Sequence, residues 1–125
     1  MSNARQYHTQ QIHYLRKDFT YADDGLSLTV GTIPAGSVIV KPISGANVST
    51  AFNAGSTNVL DIGISGDLDL YATDLALGSA GYVPCDEAVS FYVSADTTIL
   101  ATVDLTGTAA SAGVGQVVIA YIPNL

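Results

Sequence analysis

Asp67, Asp69 and Asp74 fall within eight residues of one another, with Asp61 a short way upstream. Carboxylates at this density suit two chemistries. One is calcium binding, which uses hard oxygen ligands, although the pattern is not an EF-hand: no third acid follows at the required interval and no glycine occupies the tight-turn place. The other is glycoside hydrolysis, which needs two facing carboxylates about 5 to 9 Å apart, and the spacing singles out no such pair. Adjacent Asp86 and Glu87 point to opposite faces of an extended chain, as a solvated strand end does. Carboxylates that keep an edge or loop soluble are the simpler reading of the group, with calcium binding by Asp67, Asp69 and Asp74 as the alternative.

Nucleophilic catalysis has less to work with. A serine or cysteine nucleophile needs a histidine held beside it and oriented by an acid, and His8 and His13 are the only histidines. They stand five apart, whereas zinc ligands that share a helical face stand four apart. Cys85 is the single cysteine, so no intrachain disulfide forms, and it reads as a small apolar filler. Tyr71, Tyr82, Tyr92 and Tyr121 could line a sugar platform, though tyrosines scattered on strands are commonly half-buried packing residues. Asn47-Val48-Ser49 matches a glycosylation acceptor, and without a secretory signal it reads as a chance match. No metal or cofactor is expected.

Charge is divided along the chain. Residues 1–41 carry Arg5, Arg16, Lys17 and Lys41 against Asp18, Asp23 and Asp24, a net +1, and the other 84 residues carry eight carboxylates and no Lys, Arg or His. Phosphate binding draws on clustered Lys and Arg, so nucleic acid is excluded as a partner of the body. The N-terminal stretch lacks the apolar segment of a signal peptide, and no run is long enough for a membrane span, so neither secretion nor a membrane partner is expected.

The elements that position these residues are strands. The 125 residues suit one domain, and 48% hydrophobic content argues against disorder. Val, Ile, Thr, Ser and Gly recur, and Glu87 is the only glutamate, a composition that favours pleated, turn-rich structure. Turn signals every eight to twelve residues from Asp24 onward predict a sandwich or barrel. Leu26, Leu28 and Val30 alternate with Ser27 and Thr29, and a turn is expected over 31–36 before a strand over 37–40. Further strands are predicted over 49–52, 58–64 and 89–93. Ile99, Ala101, Val103 and Leu105 mark another, and 116–122 is an apolar run suited to burial on both faces. A loop is expected over 78–84 and a short helical turn over 72–77. About eight strands make an antiparallel jelly-roll sandwich; an immunoglobulin-like sandwich is the competitor, although its buried tryptophan is missing.

Residues 1–17 read as an extended N-terminal arm and 18–125 as the β-sandwich domain. The arm has two readings. It is a frayed terminus with an ordinary first strand, or it is an arm that adds to a neighbouring surface, with tyrosines supplying area and arginines fork-shaped hydrogen bonds. The contact residues on the second reading are Arg5, Tyr7, Tyr14, Arg16 and Lys17.

The series Leu28-Thr29-Val30-Gly31-Thr32-Ile33-Pro34-Ala35-Gly36-Ser37-Val38-Ile39, then Thr50-Ala51-Phe52-Asn53-Ala54-Gly55, Asn58-Val59-Leu60-Asp61-Ile62-Gly63 and Asp67-Leu68-Asp69-Leu70-Tyr71, resembles small structural proteins of tailed bacteriophages, particularly head decoration (cement) proteins. The resemblance spans roughly residues 26–125. It implies a compact β-sandwich or β-tulip, made in the host cytoplasm and assembled on the outer capsid surface. There it would clamp capsomers of the major capsid protein, as a homo-oligomer with a trimer favoured over a dimer, and with no enzymatic activity. Phage fibre and tail proteins carry similar strings, so a glycan-binding adhesion module is the alternative. A small carbohydrate-active enzyme using Asp61, Asp67, Asp69 or Asp74 is a third reading.

Overall fold

The computed structural model describes residues 11–124. Its strands are β1 (His13–Thr20), β2 (Ser27–Ile33), β3 (Val38–Ile39), β4 (Gly45–Thr50), β5 (Thr57–Ile64), β6 (Asp67–Ala76), β7 (Gly81–Pro84), β8 (Thr97–Thr106) and β9 (Val114–Ile122). One sheet has the order β1-β9-β4-β7, with β3 also on β9; the second has the order β2-β8-β5-β6. All the strand pairs are antiparallel, and four of them nest in sequence: β1 with β9, β2 with β8, β4 with β7 and β5 with β6. The chain therefore doubles back at the β5–β6 turn, and its two halves contribute strands to both sheets of an antiparallel sandwich.

Alternation places the core between the sheets. Ile99, Ala101 and Val103 of β8, Leu60 and Ile62 of β5, and Val117 and Ile119 of β9 are almost wholly buried. At one end Phe19 stacks on Phe52 with ring centroids 5.4 Å apart. The small residues between β8 and the start of β9 have a steric reason there. A Cβ at Gly113 would lie 2.5 Å from Phe52 Cδ2, and one at Gly115 would lie 2.6 Å from Phe19 Cζ.

Several elements differ from the sequence expectations. The helical turn expected over 72–77 is instead the end of β6, because Ala72 and Leu75 pair with Ile62 and Leu60 across the hairpin and both turn inward. The turn expected from Gly31 begins later: β2 runs on to Ile33 through a bulge at Val30, which lets both Val30 and Ile33 reach the core. The strand expected over 49–52 lies earlier, at Gly45–Thr50, and Phe52 N–H instead donates to Leu77 O. Part of the expected 78–84 loop is β7, paired with β4. The strand expected over 89–93 is a ribbon with a single bridge, Val38 to Tyr92. Ile39 N–H donates to Phe91 O and Val93 N–H to Ser37 O, so the ribbon covers the open side of β3. Finally, β1 begins at His13, inside the 1–17 segment read as an arm, and residues 13–17 pair with β9.

β3 and β4 lie on the same side of β9 and are separated by a 3-10 turn at Lys41–Ile43. The turn breaks the ladder, and Ser44 repairs it. Its hydroxyl donates to Val40 O at 2.8 Å and accepts from Ala120 N–H at 2.9 Å. Among the described residues the other buried serine, Ser37, has no hydrogen-bond partner for Oγ. Removing the two hydroxyls should therefore have opposite outcomes. Ser44→Ala leaves the buried Ala120 N–H unpaired and should cost about 1–3 kcal/mol, whereas Ser37→Ala should be neutral or stabilising. Urea unfolding of both variants measures the contrast, and equal losses would contradict this account.

Candidate functional site

The outer faces of the two sheets differ in chemistry. On the sheet containing β8, the outward side chains include Ser27, Thr29, Thr32, Thr98, Thr102, Asp104 and Asp61. Hydroxyls pair across the strands, Ser27 with Thr102 and Thr32 with Thr98, each at 3.0 Å. This face is suited to water.

The outer face around β9 carries an apolar row. Tyr14 lies opposite Ala120, Ile122 opposite Val38, and Val38 bridges to Tyr92. These four side chains are 65% (Tyr14), 48% (Ile122), 43% (Val38) and 55% (Tyr92) exposed. Ile43 and Tyr82 extend the surface, and Tyr82 Oη donates to Pro42 O at 3.1 Å. Below the row sits a polar patch in which Asp18 accepts from Gln116 Nε2 at 3.0 Å and lies 3.9 Å from Arg16 Nε.

Of the expected contact residues, Arg5 and Tyr7 lie outside the described residues, as does His8. Tyr14 and Arg16 are on this outer face, as parts of a paired strand. Lys17 shares the inward side of β1 with Leu15 and Phe19 by alternation, yet it is exposed at the strand edge. The sequence reading missed Val38 and Ile122. In an all-apolar run such as 117–122 the residue types carry no alternation, so nothing in the sequence marks which side faces out.

The acidic corner is an open cavity of ≈ 660 Å³ lined by Asp61, Ser65, Gly66, Asp67, Leu68, Asp69 and Leu100. Asp61 Oδ1 accepts from Asp74 N–H at 2.7 Å and so holds Asp74 at φ 53, a left-handed conformation. Burial raises the Asp61 pKa, and the charges of Asp74, Asp69 and Asp104 raise it further, although the Asp74 N–H opposes them. The Asp67 pKa is raised chiefly by its hydrogen bond with Asp69. Among the described residues no three His, Cys, Asp or Glu side chains gather as a metal-binding group. The exposed tyrosines Tyr14, Tyr82 and Tyr92 belong to the other sheet's side, so the acids and the aromatic surface do not converge on one site.

Cys85 sits in the core, and burial, with a smaller contribution from Asp86, pushes its thiol up to about 12. It is therefore protonated at neutral pH and is no nucleophile. Lys41 donates from Nζ to Glu87 O at 2.9 Å and lies 5.5 Å from the centre of the Phe91 ring. Its role there is to anchor the 85–96 segment.

No family model matches the chain, and no curated protein matches it in sequence. Its fold is shared with chains of two solved phage structures. A chain of the cyanophage Pam1 capsid asymmetric unit aligns with 91% of this protein and 84% of its own length, at 18% identity and a TM-score of 0.60. A chain of the acidic stable capsid structure of Helicobacter pylori bacteriophage KHP30 aligns with 90% of this protein and 89% of its own length, at 17% identity and a TM-score of 0.61. The fold is therefore an antiparallel β-sandwich found in phage capsid assemblies.

The acidic corner generates a pH prediction. Asp61 and Asp67 hold protons more tightly in the folded state than in the unfolded state, so their contribution to stability is lost as pH rises through the raised values. The melting temperature should therefore rise as pH falls from neutral toward the ordinary carboxylate range. Asp61→Asn, which keeps an acceptor for Asp74 N–H, should raise Tm at pH 7.5 and flatten this profile. A profile that falls on mild acidification would contradict the assignment.

Proposed function

We propose that the protein is a non-enzymatic virion component that decorates the outside of a phage head and binds the major capsid protein through the outer face around β9. The observation that carries the reading is the contrast between the two outer faces, one mainly Ser, Thr and Asp with Leu68 and Leu100 among them, and the other an exposed row of Tyr14, Ile122, Val38 and Tyr92, on a fold shared with chains of two phage capsid structures. An apolar surface with aromatic anchors and a polar rim suits a protein partner. The acidic opposite face suits exposure to solvent, and its net negative charge favours solubility.

The buried Cys85 thiol and the single described histidine, exposed His13 on β1, fit a binding role. The rigid sandwich, with both sheets paired through nested strands, fits a clamp that must resist pressure from within a shell. Self-association into a homo-oligomer on the capsid surface belongs to the same reading.

Co-sedimentation with expanded shells that lack the protein tests it. Tyr14→Ser combined with Ile122→Ser should weaken shell binding at least tenfold and leave urea unfolding nearly unchanged, because both side chains are solvent-exposed. Deleting residues 1–10 leaves β1 intact and separates the N-terminal segment's contribution from that of the face. Undiminished binding by the double variant would remove the face from the interface, and failure of the unaltered protein to bind shells would overturn the function.

A further inference from the structure

We infer that β1 is a self-pairing edge, through which two copies of the protein join antiparallel into one continuous sheet. The inference needs no capsid contact; it rests on the self-association in the proposed function and deepens it by naming the edge and the register.

The four edge strands of the sandwich are unequal. β2 is bulged at Val30, the β5–β6 pairing shifts register twice and β6 carries Asp74 in a left-handed conformation, and β7 spans only four residues. Bulges, short length and charged side chains, Lys and inward-pointing charges among them, are how sheets prevent edge pairing. β1 is neither short nor bulged, and pairs with β9 over eight consecutive residues without a register shift; its one edge-blunting feature is Lys17 on the inward side. Among the described residues, β9 is its only strand partner.

The ladder fixes which groups β1 offers. Ala120 directs its N–H to Ser44 Oγ and its C=O to Val40 N–H, both away from β1. Its partner Tyr14 therefore points its own N–H and C=O away from β9, and by alternation so do Arg16, Asp18 and Thr20. Thr20 fits this parity, since its N–H goes to Asp23 Oδ2.

Charge then selects the register. When two β1 strands run antiparallel with Lys17 on the dyad, Arg16 of each copy lies opposite Asp18 of the other, in hydrogen-bonded positions and on the same face. Leu15 lies opposite Phe19 on the core side. Sliding the pair by two residues sets Arg16 against Arg16 or Asp18 against Asp18, which like-charge repulsion disfavours. A slip of one residue turns the wrong backbone groups to the edge. Within one copy the Arg16 and Asp18 side chains are 55% and 70% exposed and lie 3.9 Å apart; Asp18 Oδ1 also accepts from Gln116, which leaves Oδ2 for the Arg16 of a second chain. The chosen register costs a Lys17–Lys17 approach at the dyad. It also brings the two outer apolar rows side by side in one surface.

Arg16→Asp and Asp18→Arg test the pairing in the full chain. Light scattering at low ionic strength should give a dimer, or an even-numbered assembly, for the unaltered protein. Each single variant should raise the dissociation constant at least tenfold, because it sets two like pairs across the dyad, while unfolding curves confirm that the fold persists. An equimolar mixture of the two variants should form mixed pairs, since each strand then meets its opposite. Lys17→Gln should tighten association. A monomer, a trimer insensitive to these changes, or a mixture that fails to pair would overturn the inference. Shell co-sedimentation is read separately, so pairing without shell binding, or shell binding without pairing, identifies which of the two proposals fails.

Discussion

The sheet that carries the candidate interface depends on β9. β1 hydrogen-bonds to one of its edges and β3 and β4 to the other, so the first strand is joined to the third and fourth only when the last strand arrives. Contacts between residues about 100 positions apart close large loops, and the entropy of that closure must be met before the core rewards it. The small residues near Gly113 and Gly115 serve the same strand. They let the Phe19 and Phe52 rings pack beneath its start, which ties the far end of β1 to the segment between β8 and β9.

Ser44 shows how narrow the tolerance along β9 is. The 3-10 turn between β3 and β4 leaves the buried Ala120 N–H without a backbone acceptor, and one hydroxyl accepts from it while donating to Val40 O. The turn also brings Pro42 and Ile43 to the outer surface and sets Lys41 where its ammonium reaches Glu87 O. A single side chain thus preserves the ladder while the backbone departs from it, and that departure shapes the apolar face.

The two sheets divide the chemistry of the chain. Asp61, Asp67, Asp69, Asp74 and Asp104 lie on β5, β6 and β8, whereas Arg16 and Lys17 lie on β1. At one end of the β2-β8-β5-β6 sheet, burial and then neighbouring carboxylates raise the Asp61 pKa, a hydrogen bond with Asp69 raises that of Asp67, and the Asp61 carboxylate, accepting from Asp74 N–H, holds Asp74 in a left-handed conformation. The other sheet's outer face is nearly free of that charge, so apolar and aromatic side chains can remain exposed there without competing carboxylates.

The sequence by itself determined the all-β class, the sandwich and the strands whose apolar and polar residues alternate cleanly, such as Leu60 and Ile62 against Asp61, or Ile99 to Leu105 against Thr102 and Asp104. It also showed the charge division and the poverty of catalytic groups, because these are counts of residue types. Tertiary structure alone decided that Ala72 to Ala76 extend a strand, since Leu75 is equally at home on a helix until Leu60 lies opposite it. It alone decided that Val89 to Val93 form a bonded ribbon instead of a ladder strand, and that Tyr14 and Arg16 sit on a paired strand. The outward row of Ile122 and Val38 was hidden for the same reason: in a run that is apolar on every residue, only the partner strands decide which side meets the core.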